Sequence, residues 1–144
     1  MLFRSIDIDV NVFLPIARVD DVLRGLPAAV AHSPADVTQL KTDGQSRLWW
    51  DETPIDLFLN TSDFHDAAAT RARYEQFGGD EVPFLACADL AVFKAFFSRT
   101  KDWADLEEMK SAGTLDVERL IGTLARYLGG DDPRIERIRS LVGP

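Results

Sequence analysis

The segment Ser5-Ile6-Asp7-Ile8-Asp9-Val10-Asn11-Val12-Phe13-Leu14 constrains this chain more than any other. Ile6, Ile8, Val10, Val12 and Leu14 alternate with Ser5, Asp7, Asp9 and Asn11, so a two-residue period sets an apolar face against a polar one. The pattern predicts a half-buried strand, stopped by Pro15, which cannot donate to a sheet ladder. Aspartate is among the poorest strand residues, yet Asp7 and Asp9 share a face two positions apart. At ~6 Å and an effective dielectric of about 20, two carboxylates repel by roughly 2–3 kcal/mol. Thr, Lys or Ser would suit a solvated face at lower cost. Either the two acids simply face solvent or a cation compensates them, and a hard divalent ion held through oxygen is the simplest such cation.

A third acid, Asp56, lies in Pro54-Ile55-Asp56-Leu57-Phe58-Leu59, where Ile55, Leu57 and Leu59 take one face and leave Asp56 with Phe58 on the other. If this strand neighbours the first, Asp7, Asp9 and Asp56 converge. Three carboxylates from adjacent strands are the donor set for one or two Mg²⁺ or Mn²⁺ ions gripping a triphosphate.

Around these acids the remaining pattern predicts an α+β chain. A helix is expected from Val19 to about Ala31, interrupted by Gly25 and Pro27, then a loop with Ser33 and Pro34. Val37 to Lys41, Arg47 to Asp51 and Pro54 to Asn60, separated by turns at Asp43-Gly44 and Glu52-Thr53, read as an antiparallel meander. After Asn60 the character becomes helical. A helix capped by Ser62 or Asp63 is expected to reach about Gln76 and end at Gly78-Gly79, followed by an extended piece from Val82 to Ala86. Further helices are expected at Leu90 to Phe97 behind Asp89, Asp102 to Ser111, and Asp116 to Leu128. A last one opens at Asp131-Asp132-Pro133. The expectation is one domain over 1–144, with a sheet-rich part over 1–60 and a helical part over 61–144 sharing a core.

Composition narrows the function classes. The 16 basic and 24 acidic residues in 144 give a formal charge of −8, and no Lys/Arg run offsets it, so unaided duplex binding is disfavoured. A lone Cys87 excludes an internal disulfide and suggests a reducing compartment; flanked by Ala86 and Ala88, it reads as a buried small hydrophobe. No stretch of about 18 apolar residues and no secretion-type apolar core are present, so a cytoplasmic protein without a membrane partner is expected.

The ordered set Arg4-Ser5-Ile6-Asp7-Ile8-Asp9-Val10, then Ile55-Asp56-Leu57, then Leu90-Ala91-Val92-Phe93-Lys94-Ala95-Phe96-Phe97-Ser98-Arg99-Thr100-Lys101-Asp102-Trp103-Ala104-Asp105-Leu106 resembles the nucleotidyltransferase superfamily. In particular it resembles the abortive-infection (AbiEii/AbiGii-type) nucleotidyltransferase toxins and related bacterial proteins. The resemblance implies a nucleotidyltransferase-like fold and Mg²⁺ (or Mn²⁺) held by Asp7, Asp9 and Asp56. It also implies Lys94 at nucleotide phosphate with Asp102 or Asp105 beside it, and transfer of a nucleoside monophosphate from an NTP to an acceptor hydroxyl. Lys94 has support of its own, because an ammonium amid Phe93, Ala95, Phe96 and Phe97 needs a nearby partner charge or a route to the surface. The family places a Gly-Gly or Gly-Ser loop before Asp-x-Asp; only six residues precede Asp7 here and none is glycine. Either the start of the chain is assigned too late, or this is a catalytically degenerate scaffold that acts through a protein partner, such as a toxin–antitoxin or defence component. A homodimer that buries a sheet edge is a third possibility. His32 and His65 read as structural. Trp49 and Trp50 point to opposite faces of their strand, one towards the core and one towards solvent or a partner.

Overall fold

The alternating segment forms strand β1, Ile8–Pro15, in a computed structural model that describes residues 7–143. The described residues divide into two compact units, one ending at Thr70 and the other beginning at Arg71.

In the first unit β1 leads through a 3₁₀ turn, Ile16–Arg18, into helix α1, Val19–Gly25, then strand β2, Val30–Ala31, and helix α2, Pro34–Asp43. Strands β3, Gln45–Trp50, and β4, Thr53–Asn60, and helix α3, Asp63–Thr70, complete it. The strands lie in the order β1-β4-β3-β2, with β1 parallel to β4 and the other neighbours antiparallel. The sheet is mixed because β1 returns to β4 only after a helical excursion, whereas β3 and β4 are joined by a tight turn at Asp51-Glu52, with Asp51 in the left-handed region.

Register sorts the side chains by face. Leu48, Ile55, Leu57 and Leu59 share one face and bury it against Val19 and Val22 of α1, Leu40 of α2 and Val30 of β2, with Val12 and Leu14 packed at the margin. Burial of each leucine-sized side chain contributes about 1.5–3 kcal/mol, so this face holds the unit together. Asp9, Asn11, Asp56, Phe58, Arg47 and Trp49 belong to the other face.

Two expectations for this unit fail for identifiable reasons. Val37 to Lys41 is helix, not strand. Ser33 accepts from the Asp36 backbone while Asp36 accepts from the Ser33 N–H, Pro34 opens the first turn, and Gly44 at φ 73° closes the last. Start and stop signals outweigh the strand preference of Val37 and Thr38. The helix expected to reach Ala31 ends at Gly25, and Val30 and Ala31 pair with Trp50 and Trp49 as a short edge strand.

In the second unit strands β5, Arg73–Phe77, and β6, Asp80–Phe84, form a hairpin, where the sequence reading continued a helix to Gln76. Gly78 and Gly79 both have positive φ, the geometry of a two-residue hairpin turn, and not the helix terminator expected there. Helices α4, Cys87–Phe97, α5, Thr100–Ser111, α6, Val117–Leu128, and α7, Pro133–Val142, follow. Their buried residues, Ala91, Val92, Phe93, Ala95, Trp103, Leu106, Leu120, Leu124, Ile135 and Ile138, make a helical core in which α4 packs on α5 and α6, and α7 on α5 and α6. Helices α6 and α7 start where the sequence suggested, with Asp116 and Asp132 as their caps. Asp89 does not cap α4; Ala86 precedes the helix and Asp89 is buried in its first turn. Cys87 is exposed at the start of α4, because the helix begins three positions earlier than Leu90 and turns the thiol outward. The architecture is α+β, with a mixed sheet and its helices first and a helical bundle after. No helix among the described residues is long and apolar enough to cross a membrane.

Candidate functional site: a carboxylate row closed by an arginine

Parallel pairing of β1 with β4 puts Asp9 in register with Asp56, and antiparallel pairing of β4 with β3 puts Arg47 in register with Asp56 from the other side. One lateral row of the sheet therefore reads Asp9, Asp56, Arg47. Asp7 lies two positions before Asp9 and joins the same patch through Arg47.

The contacts are specific. Arg47 Nε donates to Asp56 Oδ1 at 2.8 Å, while Nη2 donates to Asp56 Oδ2 at 3.0 Å and to Asp7 Oδ2 at 3.1 Å. This is a two-pronged guanidinium–carboxylate pair, the geometry in which charge-assisted hydrogen bonds are strongest. The Asp56 side chain is 9% exposed and that of Arg47 is 43% exposed, so the acid is sheltered and the base lies over it from the solvent side. The hydrogen bonds to Asp56, opposed by desolvation and aided by the charges of Asp56 and Asp7, raise the Arg47 pKa further above its already high value.

The sequence left open what offsets Asp7 and its neighbours; in this geometry Arg47 supplies a positive charge to Asp7 and Asp56 directly. Both oxygens of Asp56 are engaged by the guanidinium, and among the described residues no trio of His, Cys, Asp or Glu side chains is placed to hold a metal ion. As arranged, this donor set does not fit a resident divalent ion.

Lys94, Asp102 and Asp105 meet in the second unit. Lys94 Nζ is 2.7 Å from Asp105 Oδ2 and 3.7 Å from Asp102 Oδ1, and Arg99 Nε donates to Asp102 Oδ2 at 2.6 Å. Asp102 is fully buried at the third position of α5, where it also accepts the Arg99 backbone N–H at 3.1 Å. Two cations face two acids across the α4–α5 corner, so the partner charge that Lys94 needs lies within the chain. The arrangement ties two helices together, a role that the resemblance alone did not suggest. A second buried acid, Asp89, is gripped by Arg71, whose Nε lies 3.1 and 3.0 Å from the two carboxylate oxygens and whose Nη2 lies 2.7 Å from Oδ1.

His65 is buried in α3 with Nδ1 3.1 Å from Ser62 Oγ, and burial, opposed by a hydrogen bond to the Ser62 backbone and by the Asp66 charge, pushes its pKa down. His32 lies exposed after β2. Trp49 and Trp50 take opposite faces, but neither reaches the core; both are exposed, and the strand that pairs with them on the outer side is the two-residue β2.

Arg47 is the site residue that the sequence reading missed. The signal was present in the turn: a two-residue Asp51-Glu52 connection pairs Trp50 with Thr53 and therefore Arg47 with Asp56. Placing the turn one position later, at Glu52-Thr53, moves the partner of Arg47 by two residues and hides the pair. No family model, curated protein or solved structure matches this chain.

Proposed function

We propose that this chain is a nucleotidyltransferase-like scaffold whose acidic cluster is neutralised internally and that acts through a protein partner rather than by metal-dependent catalysis. The carrying observation is the Arg47 clamp on Asp56 and Asp7. The ordered Asp-x-Asp and third Asp, in register across adjacent parallel strands, support the kinship. The guanidinium lying where a cation would be needed supports the loss of metal-dependent chemistry. Exposed Tyr74, Phe77 and Phe84 on the hairpin offer the aromatic surface that protein contacts favour.

A second reading keeps Mg²⁺-dependent transfer from an NTP to an acceptor hydroxyl, with Asp7, Asp9, Asp56 and Lys94 in the roles that the resemblance implies. It is favoured by the exposure of Arg47, which leaves the guanidinium free to swing away from the acids. Thermal-shift and calorimetric titration with each of the four NTPs, with Mg²⁺ or Mn²⁺, separates the two. The scaffold reading expects no change in melting point. A metal-dependent rise that Asp9→Ala abolishes in a folded variant overturns it in favour of the transferase, since a ligand bound only to the folded form must stabilise it.

A further inference from the structure

The hairpin of β5 and β6 stands almost wholly in solvent: of its strand residues only Val82 is even half-buried. A two-stranded hairpin open on both faces is marginal in water until something packs on it. Register makes its faces unlike, with Glu75 opposite Val82, Phe77 opposite Asp80 and Arg73 opposite Phe84 on one of them. On that face the Phe77 and Phe84 rings meet edge to face with centroids 6.4 Å apart, and they are 69% and 44% exposed. Two carboxylates, Glu75 and Asp80, therefore flank an exposed aromatic pair. Among the described residues neither acid has an ion-pair partner, and Arg73, at the open end of the hairpin, leaves both unpaired.

This charge limits what can cover the rings. An apolar cover would take Glu75 and Asp80 out of water with nothing to balance them, and an unpaired buried charge costs more than two rings return. A second copy brings the same excess of acid, since the hairpin carries Glu75, Asp80 and Glu81 against Arg73 alone, within a chain of net charge −8. A guanidinium satisfies both chemistries at once, stacking on a ring through its face and donating to a carboxylate through its edge. We infer that this face of the hairpin docks an arginine-bearing segment of a basic protein partner, with guanidinium groups seated on Phe77 and Phe84 and hydrogen-bonded to Glu75 and Asp80. The inference rests on the partner-dependent reading above and gives that partner its chemistry.

Titration of the ¹⁵N-labelled full chain with a short peptide of alternating valine and arginine tests it, with circular dichroism confirming that each variant is folded. Saturable amide shifts are expected over residues 73–84, and the lysine counterpart of equal charge is expected to bind several-fold more weakly. Glu75→Gln with Asp80→Asn raises the dissociation constant about tenfold. Glu107→Gln with Glu108→Gln removes the same charge from an exposed stretch of α5 and leaves the constant unchanged. The proposal is overturned by no binding at ~1 mM peptide, by shifts scattered over the acidic surface, by equal affinity for the lysine peptide, or by equal losses from the two charge pairs. A chain that self-associates through the hairpin, with shifts at the same amides on dilution alone, overturns it in favour of a second copy. The NTP titration reads on the amides of β1 and β4, so failure of the scaffold reading and failure of this docking surface register at different residues.

Discussion

Replacing Arg47 by Met keeps the aliphatic stem and deletes the guanidinium, which takes from Asp56 two charge-assisted hydrogen bonds and from Asp7 one. Removing one partner of a buried ion pair costs about 3–5 kcal/mol, because the remaining charge stays desolvated. Asp56 is sheltered but Arg47 is 43% exposed, so solvent screens part of the interaction and the expected loss falls to about 2–3 kcal/mol. For a chain of this length that corresponds to a melting point lower by roughly 6–12 °C. Urea denaturation of four proteins makes the measurement: wild type, Arg47→Met, Asp56→Leu and the double variant. The double variant, which buries neither charge, is expected within about 1 kcal/mol of wild type, so the two single losses are strongly non-additive. Millimolar Mn²⁺ is expected to raise the melting point of Arg47→Met and leave the wild type unmoved, because only the variant exposes Asp56 and Asp7 to an outside cation. If Arg47→Met lies within about 0.5 kcal/mol of wild type, or if the single losses simply add, the guanidinium is not what balances this row.

Four further outcomes follow from the geometry. Gly44→Ala is expected to cost about 1–2 kcal/mol by chemical denaturation, since φ is 73° and the new methyl would lie 2.6 Å from Thr61 Cγ2; Gly78→Ala, with open space around it, is expected to show the left-handed strain alone. Ser33→Ala removes the side-chain acceptor for the Asp36 N–H and is expected to lower stability by about 1 kcal/mol, read from the urea midpoint. His65 has a folded pKa below its ordinary 6.5, so the folded state binds fewer protons than the unfolded one. Its contribution is complete above that value and is lost as pH falls through the folded pKa, and His65→Gln is expected to flatten the fall in urea midpoint between about pH 7 and pH 5. Asp102→Asn takes the charge from the acid that Arg99 grips while Lys94 keeps Asp105, and is expected to lower the melting point; one equal to wild type would show that the buried Asp102 does not hold α4 to α5.

The parts of the fold that were readable are those where one local rule decides. The alternation through Ile8, Val10 and Val12 gave β1 directly, and Asp116, Asp132 and Pro133 marked the starts of α6 and α7. Errors arose where two rules compete. Val37 and Thr38 favour a strand, but Ser33, Pro34, Asp36 and Gly44 specify a helix, and the termini prevailed. Gly78-Gly79 serves either a helix end or a hairpin, and only the pairing of Arg73–Phe77 with Asp80–Phe84 decides between them. At the candidate site, the meeting of Asp9 and Asp56 was anticipated from their shared strand faces. Arg47 was not, because its partner depends on a turn position that must be known to the residue.

The same row of side chains fixes an order of events as the chain folds. Arg47 and Asp56 are nine positions apart and joined by a tight turn, so they meet on the microsecond scale of a hairpin. Asp9 must close a loop of more than forty residues to reach Asp56, which is slower. The guanidinium is therefore already seated when the first strand docks, and the second acid is laid beside a carboxylate whose charge has been masked. Pulsed amide exchange during refolding should protect Leu48 and Leu57 before Val10; protection in the reverse order would mean that the long loop closes first.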